Sequence, residues 1–295
     1  MSTLRELKGR IGSVASTGKI TGAMKMISSA KMHKAELGLK KLLPYRRLVQ
    51  SVISHLLATE CEFTSPLIVE RDVKRVGVVV LGSDDGLCGA YNINIFKQLL
   101  DILASYKQAY GENVDIDIYP VGKKMARAVR KISGGHMSVK SVDVHPRSGN
   151  AEIGEFVEQL KSAFLSGTVD RVDLVYMHFK SVSKQLLSHE QLLPVSYEAL
   201  CSEGEGGSVA NSSCLFEPSP NAIFNSILPL HIMSTMQEVF TENVASENAA
   251  RVMAMQSASD NASKLLESLQ LEYNKLRQQG ITTELLDILG GQVEK

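Results

Sequence analysis

Apolar residues recur at helical spacing at both ends of this chain and in short strand-like runs between them. Leu4, Leu7, Ile11 and Val14 form one helical stripe, and Ile20, Met24 and Ile27 continue it after a small phase drift. The pattern resumes past Pro44 through Val52, Ile53, Leu56 and Leu57. It predicts a first helix of up to about 57 residues, kinked near Pro44. Gly9, Gly12, Gly18 and Gly22 lie within it, and four glycines so close together predict the near approach of another backbone. At the other end, fifty consecutive residues from Leu230 to Gln279 contain neither Gly nor Pro. As a helix this run is ~75 Å long. A globular fold of the chain spans only roughly 50 Å. The helix therefore protrudes and needs something to lie against. Its Ala254, Ala258, Asn261, Leu265, Leu269 and Leu276 are spaced by threes and fours, a seam whose small members admit a second helix closely.

Between these ends the period changes. VKRVGVVVLGS reads as a buried strand entering a Gly-rich turn, SDDGLCGAYN, followed by a helix from about Ile95 to Tyr110. VDIDIYPVG and HMSVKSVDV read as further strands, KKMARAVRKI and AEIGEFVEQLKSAFLSG as helices, and VDRVDLVYMHFKS as another strand, with SKQLLSHEQLLPV next. The alternation predicts an α/β layer domain, Rossmann-like, with a largely parallel sheet. Residues 202–213 (SEGEGGSVANSS) read as a linker, and Ser219-Pro220 as an N-cap with Pro at the first helical position. A kink is expected at Pro229. The predicted fold class is α/β plus a long antiparallel coiled coil. Its parts are an N-terminal helix (1–60), an α/β domain (70–197), a linker (198–218) and a C-terminal helix (219–289).

Composition narrows the function. Aromatic residues make up 5% and Trp is absent, which argues against a carbohydrate or aromatic-ligand binder. The net charge of zero hides an asymmetry: residues 1–47 carry eleven Lys and Arg against Glu6 and Glu36, and residues 230–295 carry five basic and nine acidic side chains. The basic segment suits an acidic partner as well as a solvated face. Its basic residues are spread round the helix with little aromatic stacking, which weakens a nucleic-acid scaffold. No apolar run is long enough to span a membrane. Cys61, Cys88, Cys201 and Cys214 fit no metal-ligand spacing, and the seven histidines form no paired motif. A reducing compartment is the default.

The turn Gly82-Ser83-Asp84-Asp85-Gly86-Leu87-Cys88-Gly89 invites comparison with a phosphate loop. It lacks the lysine of that motif and sets two carboxylates where a phosphate would sit. An enzyme using Asp84, Asp85 and Cys88, with helical arms for oligomerisation, is the rival reading.

Three ordered motifs bring in a resemblance. Ile11-Gly12-Ser13-Val14, Thr17-Gly18-Lys19-Ile20-Thr21-Gly22-Ala23-Met24-Lys25-Met26, the turn Ser83–Asn92, and ASENAARVMAM from Ala245 with YNKLRQ and ITTEL beyond it resemble the gamma subunits of F-type ATP synthases in their bacterial form. The resemblance covers almost the whole chain. It implies a rotor shaft whose paired terminal helices lie inside a ring of alpha and beta subunits. The foot would stand on the membrane c-ring beside the epsilon subunit, peripheral to the cytoplasmic face of the inner membrane. It implies a non-catalytic subunit that carries no cofactor and no metal, binds no nucleic acid and does not span the membrane.

Residue by residue, the resemblance implies that Arg277 and Gln278 hydrogen-bond a carboxylate-bearing loop of beta, with Thr282 in the same region. Met24 and Lys25 match the segment facing an acidic loop of beta. Glu247 and Arg251 match the lower coiled coil, and Phe216 and Glu217 the pair near the c-ring contact. Lys25 stands where many members carry Glu, and the tail from Gly290 to Lys295 replaces the usual small apolar ending. Cys201 and Cys214 are spaced unlike the regulatory disulfide of chloroplast members, so free thiols are expected.

Overall fold

A computed structural model describes residues 3–57, 63–132, 134–196, 200 and 216–293. The expectations for Cys61, Cys201, Cys214 and the 202–213 linker lie outside them. The first element, α1, runs from Leu4 to Leu57. It opens with a capping box in which the Thr3 backbone N–H donates to Glu6 and the Glu6 N–H to the Thr3 hydroxyl. The last element, designated α5, runs from Pro220 to Val293. Its first turn is capped by Ser219, whose hydroxyl accepts the Ala222 N–H at 3.3 Å. With 54 and 74 residues, the two helices are about 80 and 110 Å long. Both helices continue through their prolines, Pro44 and Pro229.

The two helices pair antiparallel. A Cβ on Gly18 would stand 3.6 Å from Ala262, one on Gly38 3.4 Å from Thr241, and Arg46 is ion-paired with Glu238. The seam differs from the most apolar path. On α1 it runs through Leu7, Ile11, Val14, Gly18, Thr21, Ser28, Met32, Ala35 and Leu39, each half-buried or buried. Ile20 and Ile27, expected inside, are 60% and 56% exposed. On α5, Leu266 and Leu269 turn inward while Asn261 and Leu265 are exposed. The cause is geometric. Two wrapped helices keep a 3.5-residue repeat, and from Leu7 that repeat falls on small or polar positions, not on Ile20 and Ile27. Three of the four clustered glycines have no neighbour where a Cβ would stand, and only Gly18 meets the partner helix. Carrying the Gly18–Ala262 pairing outward sets Leu4 opposite Leu276. Past that point α5 continues alone among the described residues, with Ile281, Leu285, Leu286 and Ile288 exposed.

The chain between the long helices folds as β1 (Arg75–Leu81), α2 (Tyr91–Tyr110), β2 (Asp115–Val121), α3 (Lys123–Val129), β3 (Met137–Val139), α4 (Asn150–Leu165), β4 (Arg171–Ser181) and β5 (Lys184–Leu193). The strand order is β3-β2-β1-β4-β5. The first four strands are parallel, and β5 folds back antiparallel on β4 as a hairpin at the edge. Alternation along β1 divides the core into two layers. Val76, Val78 and Val80 face α2, with Ile95, Leu99 and Leu103. Val79 and Leu81 face the layer of α4, the end of α1 and the start of α5, where Ile53, Leu56, Phe156, Phe164, Phe224 and Phe240 meet. The sheet is thus fastened directly to the base of the helix pair.

Candidate interaction surfaces on the helix pair

The Gly-rich turn lies at the carboxyl end of β1, at the point where β2 departs to one side and β4 to the other. In open α/β sheets this crevice receives the ligand. Here α5 fills it. Asn243 donates to the Gly82 carbonyl at 3.0 Å and accepts the Tyr91 hydroxyl at 2.5 Å. Ser246 donates to the Met177 carbonyl at the matching level of β4. Arg251 donates to the Gly86 and Asp85 carbonyls at 3.2 and 3.4 Å, to Asn248 at 3.3 Å and to the Glu247 carboxylate at 2.6 Å. Glu247 is 1% exposed, and Arg147, from the loop after β3, approaches it at 3.8 Å while pairing with Asp85 at 3.1 Å. Burial raises the Glu247 carboxyl above its ordinary value, and the Arg251 guanidinium opposes that shift.

The turn itself is closely packed. A Cβ on Gly82 would stand 2.6 Å from that of Met125, and Gly122, at φ +102°, lies under the Ser83 carbonyl. Asp84 accepts the Lys123 N–H. Cys88 is buried against Ser83 and takes the Asn92 amide at 3.3 Å. Asp84, Asp85 and Cys88 are therefore each tied to the protein's own groups. The described residues contain no cluster of His, Cys, Asp and Glu able to hold a metal ion, and no helix is long and apolar enough to cross a membrane.

A second polar contact joins the sheet to α5 below this one. His178 of β4 meets Glu242 at 2.9 Å. Burial pushes the Glu242 carboxyl up to about 7, His178 opposes the shift, and Glu238 and Glu190 add to it.

The site residues indicated by the sequence fall into four separate places. Met24 and Lys25 are half-buried on α1, beside the seam. Arg277 and Gln278 are exposed near the end of α5, and the Thr282 hydroxyl caps the Gln278 carbonyl at 2.9 Å. Since Met24 lies opposite about Gln256, the two groups are separated by roughly 30 Å along the helix pair. Glu247 and Arg251 face the α/β domain, not the α1 seam. Phe216 packs against the base of the core, with Glu217 exposed beside it. Asn243 and Arg147 were not indicated by the sequence, and Tyr91 and Ser246 lie within its motifs without an assigned role. The one available signal was a polar row at positions 243, 246, 247 and 251 of α5.

Comparison with known proteins covers nearly the whole chain. A family model described as ATP synthase matches residues 3–293. The ATP synthase gamma chain of Phocaeicola vulgatus is 42% identical over 293 residues, covering 99% of this chain and all of that one. The ATP synthase gamma chain of Bacteroides thetaiotaomicron is 39% identical over 302 residues, covering both chains fully. Among solved structures, a chain of the Euglena gracilis mitochondrial ATP synthase rotor superposes with a TM-score of 0.64 at 20% identity, covering 94% of this chain and 98% of that one. A chain of the Tetrahymena thermophila mitochondrial ATP synthase central stalk and c-ring gives 0.58 at 23%, covering 81% and 99%. At these identities the structural likeness is one of fold.

Proposed function

The chain belongs to the ATP synthase gamma-chain family, and from that premise we propose that it is the central-stalk rotor of an F-type ATP synthase. It couples ion flow through a membrane c-ring to ATP synthesis and hydrolysis at beta subunits, and it is itself non-catalytic. The observation that carries this reading is the helix pair: α1 and α5 leave the α/β domain together, and α5 then runs on alone past Leu276. An isolated two-helix arm with an unpaired apolar end gains nothing by protruding into water. It gains by being enclosed, and a ring of alpha and beta subunits is the enclosure that the family supplies.

The mechanism follows from asymmetry. An arm that pairs one basic helix with one acidic helix contacts three surrounding sites differently at each angle. Turning it biases each site among conformations of different nucleotide affinity, as a ligand does through differential contacts. Arg277 and Gln278, exposed on α5, act as donors to a carboxylate-bearing loop of beta, with an Arg fork suited to two parallel bonds. Thr282 lies one turn further out. Met24 and Lys25 face beta from α1, and Phe216 and Glu217 stand at the foot, toward the c-ring and epsilon. The protein is peripheral, on the cytoplasmic face of the inner membrane. Affinity purification of the tagged chain from its native membrane tests this reading. Alpha, beta, epsilon and c subunits are expected with it in fixed proportion. Recovery of the chain alone would refute it.

A further inference from the structure

The contact between α5 and the Gly82–Cys88 turn has a chemistry unlike the rest of the base. Apart from the His178–Glu242 pair, the sheet elsewhere meets the helix pair through apolar side chains, which resist separation but are non-directional. At the turn, three side chains of α5 donate to four main-chain carbonyls of the α/β domain: Gly82, Asp85, Gly86 and Met177. The carbonyls belong to the turn after β1 and to the adjacent strand β4, so rotation of the domain about the helix axis strains all of these directional bonds together. The donors are held from behind. Glu247 makes no bond to those carbonyls. It grips Arg251 at 2.6 Å, and Asn248 and Arg147 complete its setting. Asn243, Ser246 and Asn248 are fully buried, so water does not replace these bonds cheaply.

We propose that this contact is a torsional clamp that makes the α/β domain turn as one body with the helix pair, with Arg251 as its main tie and Glu247 and Arg147 as positioning residues. The inference rests on the rotor reading, since a clamp against torque matters only in a chain that carries torque. Its place is suited to the task. The clamp grips α5 where the helix leaves the domain, so load applied to the sheet enters the helix at Asn243–Arg251 rather than through the hairpin or the α4 layer.

The test uses the assembled complex and two rotation probes, one on α2 at Lys97→Cys and one on α1 at Lys41→Cys, both exposed positions. In the parent complex the two probes should give coincident angular distributions at every dwell. Arg251→Gln should broaden the distribution of the α2 probe while leaving that of the α1 probe unchanged. Arg147 is half-exposed, so Arg147→Gln keeps the fold and should broaden the α2 distribution to a lesser extent. The charge-conserving Arg147→Lys should leave it close to the parent width. Coincident distributions in Arg251→Gln would overturn the clamp. If Arg251→Gln does not assemble, an unbroadened α2 probe in Arg147→Gln overturns it instead. Failure of both probes to turn in the parent complex would refute the rotor reading itself.

Discussion

Arg251 and Glu247 stand one helical turn apart on α5, 2.6 Å from nitrogen to oxygen, and the same guanidinium reaches carbonyls that lie 165 and 166 residues away in sequence. The pair is both a buried ion pair and the bond between the chain's two structural parts. Removing one partner strands the other. Arg251→Ala should therefore destabilise the chain by roughly 3 kcal/mol, because Glu247 is left buried with only Arg147, at 3.8 Å, to oppose its charge. Arg251→Ala combined with Glu247→Leu should recover a large share of that loss. Urea unfolding of the three proteins checks both expectations, and equal midpoints for the parent and Arg251→Ala would contradict them.

The glycines separate into two kinds. Gly122→Ala adds a Cβ 2.9 Å from the Ser83 carbonyl at φ +102°, so it should cost on the order of 1–3 kcal/mol. Gly9→Ala and Gly12→Ala add one into open space within a helix and should each stabilise by about 0.4–1 kcal/mol. Thermal midpoints of the three variants should fall on opposite sides of the parent.

That contrast shows where sequence reasoning stops. The strand–helix alternation and both long helices were legible, because period and breakers are local properties. The seam was not: Ile20 and Ile27 are the more apolar choice, yet the supercoil repeat set by Leu7, Ile11 and Val14 selects Thr21 and Ser28. The edge strand KQLLSHEQLL was equally obscure. Its paired leucines do not alternate, and its pairing with β4 is decided by the hairpin. Arg251 was identified only by motif, since nothing local signals a bond to a turn so far away in sequence.

Stability should depend on pH through Glu242. Its folded value, about 7, lies above that of an ordinary carboxyl, near 4.5. Between the two values the folded chain holds a proton that the unfolded chain has released. Stability should accordingly be highest at the acid end of this window and fall as pH rises toward 7, by roughly 2–3 kcal/mol in all. Glu242 is faced by His178 on β4, Glu190 on β5 and Glu238 on its own helix, the last ion-paired with Arg46 of α1. Glu242→Gln should flatten that decline in a pH series of denaturation midpoints, and an unchanged slope would remove Glu242 as its source.

Arg277 is exposed and makes no hydrogen bond or ion pair among the described residues. Arg277→Ala should alter the stability of the isolated chain by under ~0.5 kcal/mol. It should nevertheless impair ATP synthesis and hydrolysis by the assembled complex. Parallel unfolding and ATPase measurements separate the two effects, and parent-level turnover would exclude Arg277 from the contact with beta.

The central claim is that this chain turns. A bead attached at Lys41→Cys, on a complex fixed to glass through its beta subunits, reports rotation directly when ATP is supplied. The account predicts unidirectional rotation in three principal steps per turn, one for each beta subunit. ATP hydrolysis at the normal rate with a stationary bead would contradict it.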